Sequence, residues 1–214
     1  MPGLTGRAIA LAALIVLSPL LALLAVLVRA TTPGPALHRA SRVGRAGEFT
    51  LYKFRTMTVG AAATGPGVTA AGDARVTRLG RLLRRTKLDE LPQLWNVVRG
   101  DMAFVGPRPE DPRYVDRTDP LHRTVFSALP GITGPTALAY QDEETVLAGA
   151  ALDVATADGR DRATDDDLDR AYRDVVLPAK LAMDAEYLRT RSARGDLAIL
   201  GRTIGQVLTR TTRR

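Results

Sequence analysis

The chain has 214 residues, 45% of them apolar and 25% charged, and its 30 Lys plus Arg against 23 Asp plus Glu leave a net charge of +7. That length fits one domain, and the composition excludes intrinsic disorder, a collagen-like repeat and a bundle that crosses a bilayer many times. With no Cys and only His38 and His122 as imidazoles, disulfides, thiolate metal sites and Cys nucleophiles are excluded, and a hydrolase triad would have to use one of those two histidines.

Residues 8–28, AIALAALIVLSPLLALLAVLV, carry no charge and are bracketed by Arg7 and Arg29. As a straight helix this run measures about 32 Å, enough to cross the hydrocarbon core. Ser18 and Pro19 interrupt it. Proline removes a backbone donor and clashes with the carbonyl four residues earlier, so a kink is expected there. Three readings stand: a spanning helix with a tolerated proline, a signal peptide, and a re-entrant helix. The run exceeds an ordinary signal h-region and is followed by a poor cleavage site, VRATTPG. A positive residue at both ends favours keeping both on the cytoplasmic side, with the Ser18 hydroxyl taking up a freed carbonyl.

Beyond Gly34-Pro35, residues 36–54 read as a hairpin with its turn at Gly44-Arg45-Ala46-Gly47 and β-favouring Phe49, Thr50, Leu51 and Tyr52. Residues 58–73 are small and Gly-rich, a loop. A basic helix is expected over residues 74–86, with Val76, Leu79, Leu82 and Leu83 on one face and Arg75, Arg78, Arg81 and Arg85 outside. Arg75, Arg78 and Arg81 read as a solvated or headgroup-facing stripe, or as catalytic cations. The segment 38–108 carries a net +8, which calls for an anionic partner: nucleic acid, a phosphate-bearing ligand or lipid headgroups.

Leu91, Leu94, Trp95 and Val98 have the spacing of a helix with one buried side. Pro92 must then lie in the first turn, which puts Asp89 and Glu90 at the helix N-terminus, where unpaired amides favour carboxylates. Gly100-Asp101 stops that helix. Residues 104–109 form a turn holding Arg108 between prolines, and residues 130–134 form another rigid turn. Residues 153–170 are acidic and expected to be flexible. Helix resumes over residues 171–208, broken near 191–195, with Tyr172, Val176, Leu177, Leu181, Tyr187, Leu188, Leu197, Leu200 and Ile204 as packing residues.

A carboxylate pair beside Arg84, Arg85 and Arg108, joined to an apolar segment, points to phosphate chemistry at a bilayer surface. An Asp or Glu can attack phosphorus while its neighbour holds a divalent cation, for which Mg²⁺ is suited. The same pair also reads as a helix-capping feature alone.

The strings YKFRTM (52–57), TKLDELPQLWNV (86–97), RGDM (99–102), VGPRPE (105–110) and PGITG (130–134) closely resemble those of the bacterial sugar transferases, the monotopic polyprenyl-phosphate phosphoglycosyl transferases. The resemblance runs from the Ser-Pro-broken helix to the LPAKL and DAEYL segments at 177–188. It implies an α+β, mostly helical fold with an N-terminal re-entrant membrane helix over residues 1–33, broken at Ser18 and Pro19. A cytoplasmic domain of residues 34–214, with a small β-hairpin and amphipathic interfacial helices, would lie on the plasma membrane's inner surface.

What it implies of activity is transfer of a sugar 1-phosphate from a nucleotide sugar, usually a UDP-hexose, to a polyprenyl phosphate, with release of UMP, at the start of exopolysaccharide or glycan assembly. Asp89 matches the nucleophile that becomes a phosphosugar ester, and Glu90 its partner with Mg²⁺; Asp89 and Glu90 are thus also the metal candidates. Lys53, Arg84 and Arg108 match positions that hold phosphates or the nucleotide, and Arg55 and Gln141 join them as substrate-binding candidates. Two residues depart from the pattern: members often carry Gln at the position of Ala40 and Arg at that of Gln141. The expected partners are the nucleotide sugar, polyprenyl phosphate and membrane lipids, not nucleic acid, with a homo-oligomer left open. The rival is a membrane-tethered, basic nucleic-acid or anionic-lipid binding module without catalysis, which the absence of a nucleic-acid motif and the 5% aromatic content disfavour.

Overall fold

The computed structural model describes residues 3–61 and 65–212. It is mostly helical. The apolar run lies in α1 (Leu4–Thr31), which is continuous through Pro19. The Ser18 Oγ donates to the carbonyl of Ile15 at 2.7 Å, the acceptor four residues before Pro19 that proline cannot serve. One face of α1 packs along most of its length on the rest of the chain. Ala10, Ala13, Leu14 and Leu17 meet Leu51, Leu94, Val97 and Met102, and Leu20, Leu24 and Val28 meet Phe54 and Leu83. Its opposite face leaves Ile9, Ile15, Val16, Leu23 and Val26 exposed.

The hairpin forms where expected. Strands β1 (Leu37–Gly44) and β2 (Gly47–Phe54) pair antiparallel, with His38 opposite Lys53 and Gly44 opposite Gly47. The described part of residues 58–73 contains no strand or α-helix. The basic helix α2 (Arg78–Thr86) is shorter than its pattern suggests, because Thr77 caps it by accepting from the Gly80 amide at 2.9 Å. Val76 pairs with Met57 in an isolated bridge, and of the expected apolar face Leu83 is buried while Leu82 is exposed. Gly80 is obligatory: a Cβ there would lie 2.0 Å from the Thr56 carbonyl oxygen.

The element carrying Asp89 and Glu90 differs from the expected single α-helix. A 3₁₀ turn over Leu88–Gln93 precedes a six-residue α3 (Leu94–Arg99). Its buried side is Leu94, Asn96 and Val97, so Trp95 is exposed. Asn96 sets this docking: its Nδ2 donates to the Thr50 carbonyl at 2.7 Å and its Oδ1 accepts from the Tyr52 amide at 3.2 Å, on the edge of β2 that β1 leaves open. Gly100 (φ 91°) ends α3.

Both expected rigid turns contain strands. Strands β3 (Ala103–Val105) and β4 (Gly131–Thr133) pair in parallel, flanking α4 (Pro120–Phe126). Three residues are too few for a period of two to register. The acidic stretch 153–170 is not a flexible loop. It is covered largely by α6 (Glu143–Ala157), which follows α5 (Pro135–Ala139), and α7 (Asp165–Ala171). Asp167 and Thr164 form a capping box and Asp167 also receives Arg160, which neutralises the local negative charge. A π-type turn over Tyr172–Val176 leads into α8 (Leu177–Thr190), and α9 (Ala193–Thr212) follows a break near 191. Tyr172, Val176, Leu177 and Leu181 join Tyr114, Val125 and Leu147 in the main core. Leu197 and Ile204, expected to pack, are exposed on α9.

Candidate active site

Residues 58–61 and 66–76, the hairpin, α2 and the start of α6 surround a cavity of about 1830 Å³, to which α1 contributes Ala25 and Arg29. Lys53 projects into it from β2, Arg84 from α2, Asp89 and Glu90 from the 3₁₀ turn, Arg108 from the turn after β3, and Gln141 from the turn between α5 and α6. The fold therefore brings to one cavity residues separated by up to 88 positions in the chain.

Lys87 begins the 3₁₀ turn. It adopts a left-handed conformation (φ 58°), in which its amide closes α2 by donating to the Arg84 and Leu83 carbonyls. This reverses the chain so that Asp89 and Glu90, two and three residues on, reach the cavity while Leu88 packs against the core. Glu90 receives two cations: Lys53 Nζ at 3.3 Å and Arg108 Nη2 at 3.6 Å, both on Oε1. Burial opposes its charge, yet Lys53 and Arg108 overcome that and hold the Glu90 carboxyl well below the usual carboxylate range. Burial in turn pushes the Lys53 ammonium down, against the pull of Glu90.

Asp89 is the opposite case. Its residue is only 6% exposed and its Oδ1 is buried without a hydrogen-bond partner. Burial pushes its carboxyl above the usual range; Lys53 draws it back and the Glu90 charge adds to the rise. An unsatisfied buried carboxylate oxygen is costly and is retained where function requires it. Because the helical turn is short, the local cations, rather than an extended helix dipole, supply the positive potential here.

Arg84 is aimed by Thr56, whose Oγ1 accepts from its Nε at 2.9 Å, while its Nη1 pairs with Glu144. Arg55 is placed differently from the other candidates. Its Nε, Nη1 and Nη2 donate to the carbonyls of Pro35, Pro33 and Thr32 at 2.7 to 2.9 Å, so its guanidinium fastens the exit of α1. Gln141 Nε2 donates to the Leu138 carbonyl at 2.9 Å. Ala40, the other departure, also lines the cavity. Arg75 is not part of a solvated stripe, since it pairs with Asp73 at 2.7 Å and donates to loop carbonyls of Ala61, Pro66 and Val68.

Behind Arg108 lies a buried network that sequence reasoning missed. Tyr172 Oη donates to Glu110 Oε2 at 2.5 Å and accepts from Lys180 Nζ at 2.8 Å, and Lys180 also donates to Glu143 Oε1 at 2.8 Å. Burial opposes the Arg108 charge, but Glu90, Glu143, Tyr172 and Glu110 together raise its pKa further. The amide of Arg108 reaches Asp184 Oδ2 at 3.4 Å, and Asp184 also accepts from Thr136. Burial lifts the Asp184 carboxyl to about 6. A signal existed for part of this network, since Glu110 and Lys180 lie within the VGPRPE and LPAKL strings.

Chemically, the site offers the unpaired Asp89 Oδ1 among fixed cations in a cavity that α1 helps to wall, an arrangement suited to phosphate groups. Comparison with known proteins agrees. The chain belongs to the bacterial sugar transferase family, whose model matches residues 3–210. It is 37% identical over 199 residues to a UDP-glucose:undecaprenyl-phosphate glucose-1-phosphate transferase of Caulobacter vibrioides, covering 90% of this chain and 64% of that one. It is 45% identical over 115 residues to a putative undecaprenyl-phosphate N-acetylgalactosaminyl 1-phosphate transferase of Bacillus subtilis, covering 53% and 60%. With a UDP-N-acetylgalactosamine-undecaprenyl-phosphate N-acetylgalactosaminephosphotransferase of Aeromonas hydrophila the identity is 41% over 121 residues, covering 55% and 29%. The chain thus spans less than two thirds of the length of each of these relatives.

Proposed function

We propose that this chain transfers a sugar 1-phosphate from a nucleotide sugar to a polyprenyl phosphate at the inner face of the plasma membrane, through a covalent intermediate on Asp89. The observation that carries this reading is the unpartnered Oδ1 of Asp89 in a cavity shared with Lys53, Arg84 and Arg108. In the first step a carboxylate oxygen of Asp89 attacks the β-phosphorus. The bond from that phosphorus to the bridging oxygen breaks, and the nucleoside monophosphate leaves with the electron pair. In the second step an oxygen of the lipid phosphate attacks the same phosphorus and expels the Asp89 carboxylate. Both steps bring an anion toward an anion, so the surrounding cations lower the barrier by offsetting charge on the phosphoryl oxygens. Two of the relatives are named for UDP-sugar donors, which makes UDP-sugars the first to try.

Asp89 and Glu90 would hold Mg²⁺. Two adjacent carboxylates, one with an unpaired oxygen, suit a hard ion that takes its other ligands from water and substrate phosphate. When bound, it would supply further positive charge at the diphosphate.

A monotopic, re-entrant α1 is supported by how its ends are fastened. Arg7 Nε donates to the Val98 carbonyl at 2.7 Å near one end, and Arg55 grips the carbonyls just beyond the other. A helix tied at both ends to one polar body cannot put them on opposite sides of a bilayer without carrying that body with it. The exposed Leu197, Ile204 and Leu208 give α9 an apolar face for the interface. Against the nucleic-acid rival, Arg42, Lys53, Arg75, Arg84 and Arg108 of the basic segment are each paired with a carboxylate.

The test is to incubate the purified chain with Mg²⁺, polyprenyl phosphate and a panel of nucleotide sugars. Nucleoside monophosphate release and a sugar phosphate mass on the peptide containing Asp89 are expected. Full turnover by Asp89→Asn would overturn the covalent route, and full turnover in excess chelator would overturn the metal role.

A further inference from the structure

At the start of α6 two successive glutamates turn to different partners. Glu143 reaches inward to the buried Lys180, whereas Glu144 crosses the cavity to Arg84 Nη1. Arg84 is held firmly on its other side. Thr56, whose Oγ1 receives the Arg84 Nε, is itself buried, and its carbonyl accepts from the Thr77 amide at 2.9 Å. The guanidinium is therefore aimed into the cavity whether or not Glu144 is present. Glu144 has no such constraint. Its side chain is 44% exposed against 24% for Arg84, and outside the helix its carbonyl accepts from the Ala71 amide at 3.0 Å, a contact that leaves the carboxylate unrestrained.

Magnitudes separate the two glutamates. A buried ion pair such as Glu143 with Lys180 cannot be opened without stranding a charge, at several kcal/mol. A half-exposed pair is worth about 0.2 to 1 kcal/mol. Phosphate oxygens carry more charge than a carboxylate and match the arginine fork, so they outcompete such a pair.

We infer that Glu144 is an internal stand-in for substrate phosphate: its carboxylate occupies Arg84 in the empty site, is displaced by phosphate oxygens on binding, and so sets the affinity for a phosphate-bearing substrate. This rests on the transferase reading and adds a residue that tunes it. The competition costs affinity but keeps Arg84 neutralised between turnovers.

The experiment compares wild type with Glu144→Gln in steady-state nucleoside monophosphate release, varying nucleotide sugar and polyprenyl phosphate separately. Removing the competitor should lower KM about 1.4- to 5-fold, the range the pair's energy converts to, with kcat within about two-fold. The substrate whose KM falls is the one whose phosphate Arg84 takes. Inhibition by inorganic pyrophosphate should tighten in parallel if it is the donor. Glu186→Gln, which removes a fully peripheral pair with Arg189, should change nothing. Unchanged or raised KM for both substrates would overturn the inference, because a residue that merely pre-organises Arg84 raises KM when lost. If wild type releases no nucleotide from any donor, the transferase reading fails and this inference falls with it; a working wild type with an unimproved variant sinks the inference alone.

Discussion

Two groups of buried charge lie side by side around Arg108 and are built on opposite rules. In the network of Glu110, Tyr172, Lys180 and Glu143 every charged group has a partner within the chain. On the cavity floor Glu90 is over-supplied with cations while Asp89, one residue earlier, keeps an oxygen with no partner at all. Satisfied buried polar groups specify structure, whereas an unsatisfied one marks where something from outside completes the set. The contrast assigns rigidity to one region and reactivity to the other.

The largest expected effect breaks the reactive side. Asp89→Asn should lower turnover at least about a thousand-fold, as loss of a nucleophile does, while the thermal midpoint holds or rises because a costly buried charge is gone. A large fall in midpoint would mean that Asp89 belongs to the structural class after all. Lys180→Met should do the reverse. It strands Glu110 and Glu143 and should cost about 3 to 5 kcal/mol in denaturant unfolding, with a smaller loss of turnover per folded molecule.

A pH profile sharpens the comparison within the site. In the proposed route Asp89 must be ionised to attack, and burial raises its pKa, so kcat/KM should fall on acidification at a pH above the ordinary aspartate range. In Lys53→Met the strongest opposing cation is gone and the acid limb should move higher still. A limb that stays at an ordinary aspartate value in both proteins would contradict the assignment.

The smallest effect lies at Asp184, with a carboxyl at about 6 in the fold against 3.8 when free. The folded state binds the extra proton between those values, so this group's contribution to stability is present at low pH and is lost as pH rises from about 4 to about 6. The wild type should lose about 2 to 3 kcal/mol relative to Asp184→Asn across that window, read from denaturant midpoints at a series of pH values.

The reactive region was far more legible in the sequence than the structural one. Asp89, Glu90, Arg108 and Lys53 lie in compact strings whose residue types already suggest phosphate chemistry. The hairpin was legible too, because its strands are long enough for β-favouring residues to cluster and its turn is flanked by glycines. Glu143 and Glu144 gave no such signal: each reads as an ordinary helical charge, and its partner is 37 or 60 positions away; Asp184 opens the DAEYL string, but nothing local tied it to Arg108, 76 positions away. Trp95 was misread because a helical period was assumed across a 3₁₀ turn, which rotates the following residues off the expected face. The acidic stretch was read as flexible because charge density hid the Thr164 cap and its arginine.

Arg7 and Arg55 clamp α1 to the body, and Ala25 and Arg29 belong to the cavity wall. The apolar helix is thus a component of the cavity wall and not a detachable tether. Trimming it away would yield no soluble domain but a breached one, with Leu51, Phe54, Leu83 and Val97 laid bare. Solubilisation is better sought by supplying an amphiphile to the outer face of α1 than by shortening the chain.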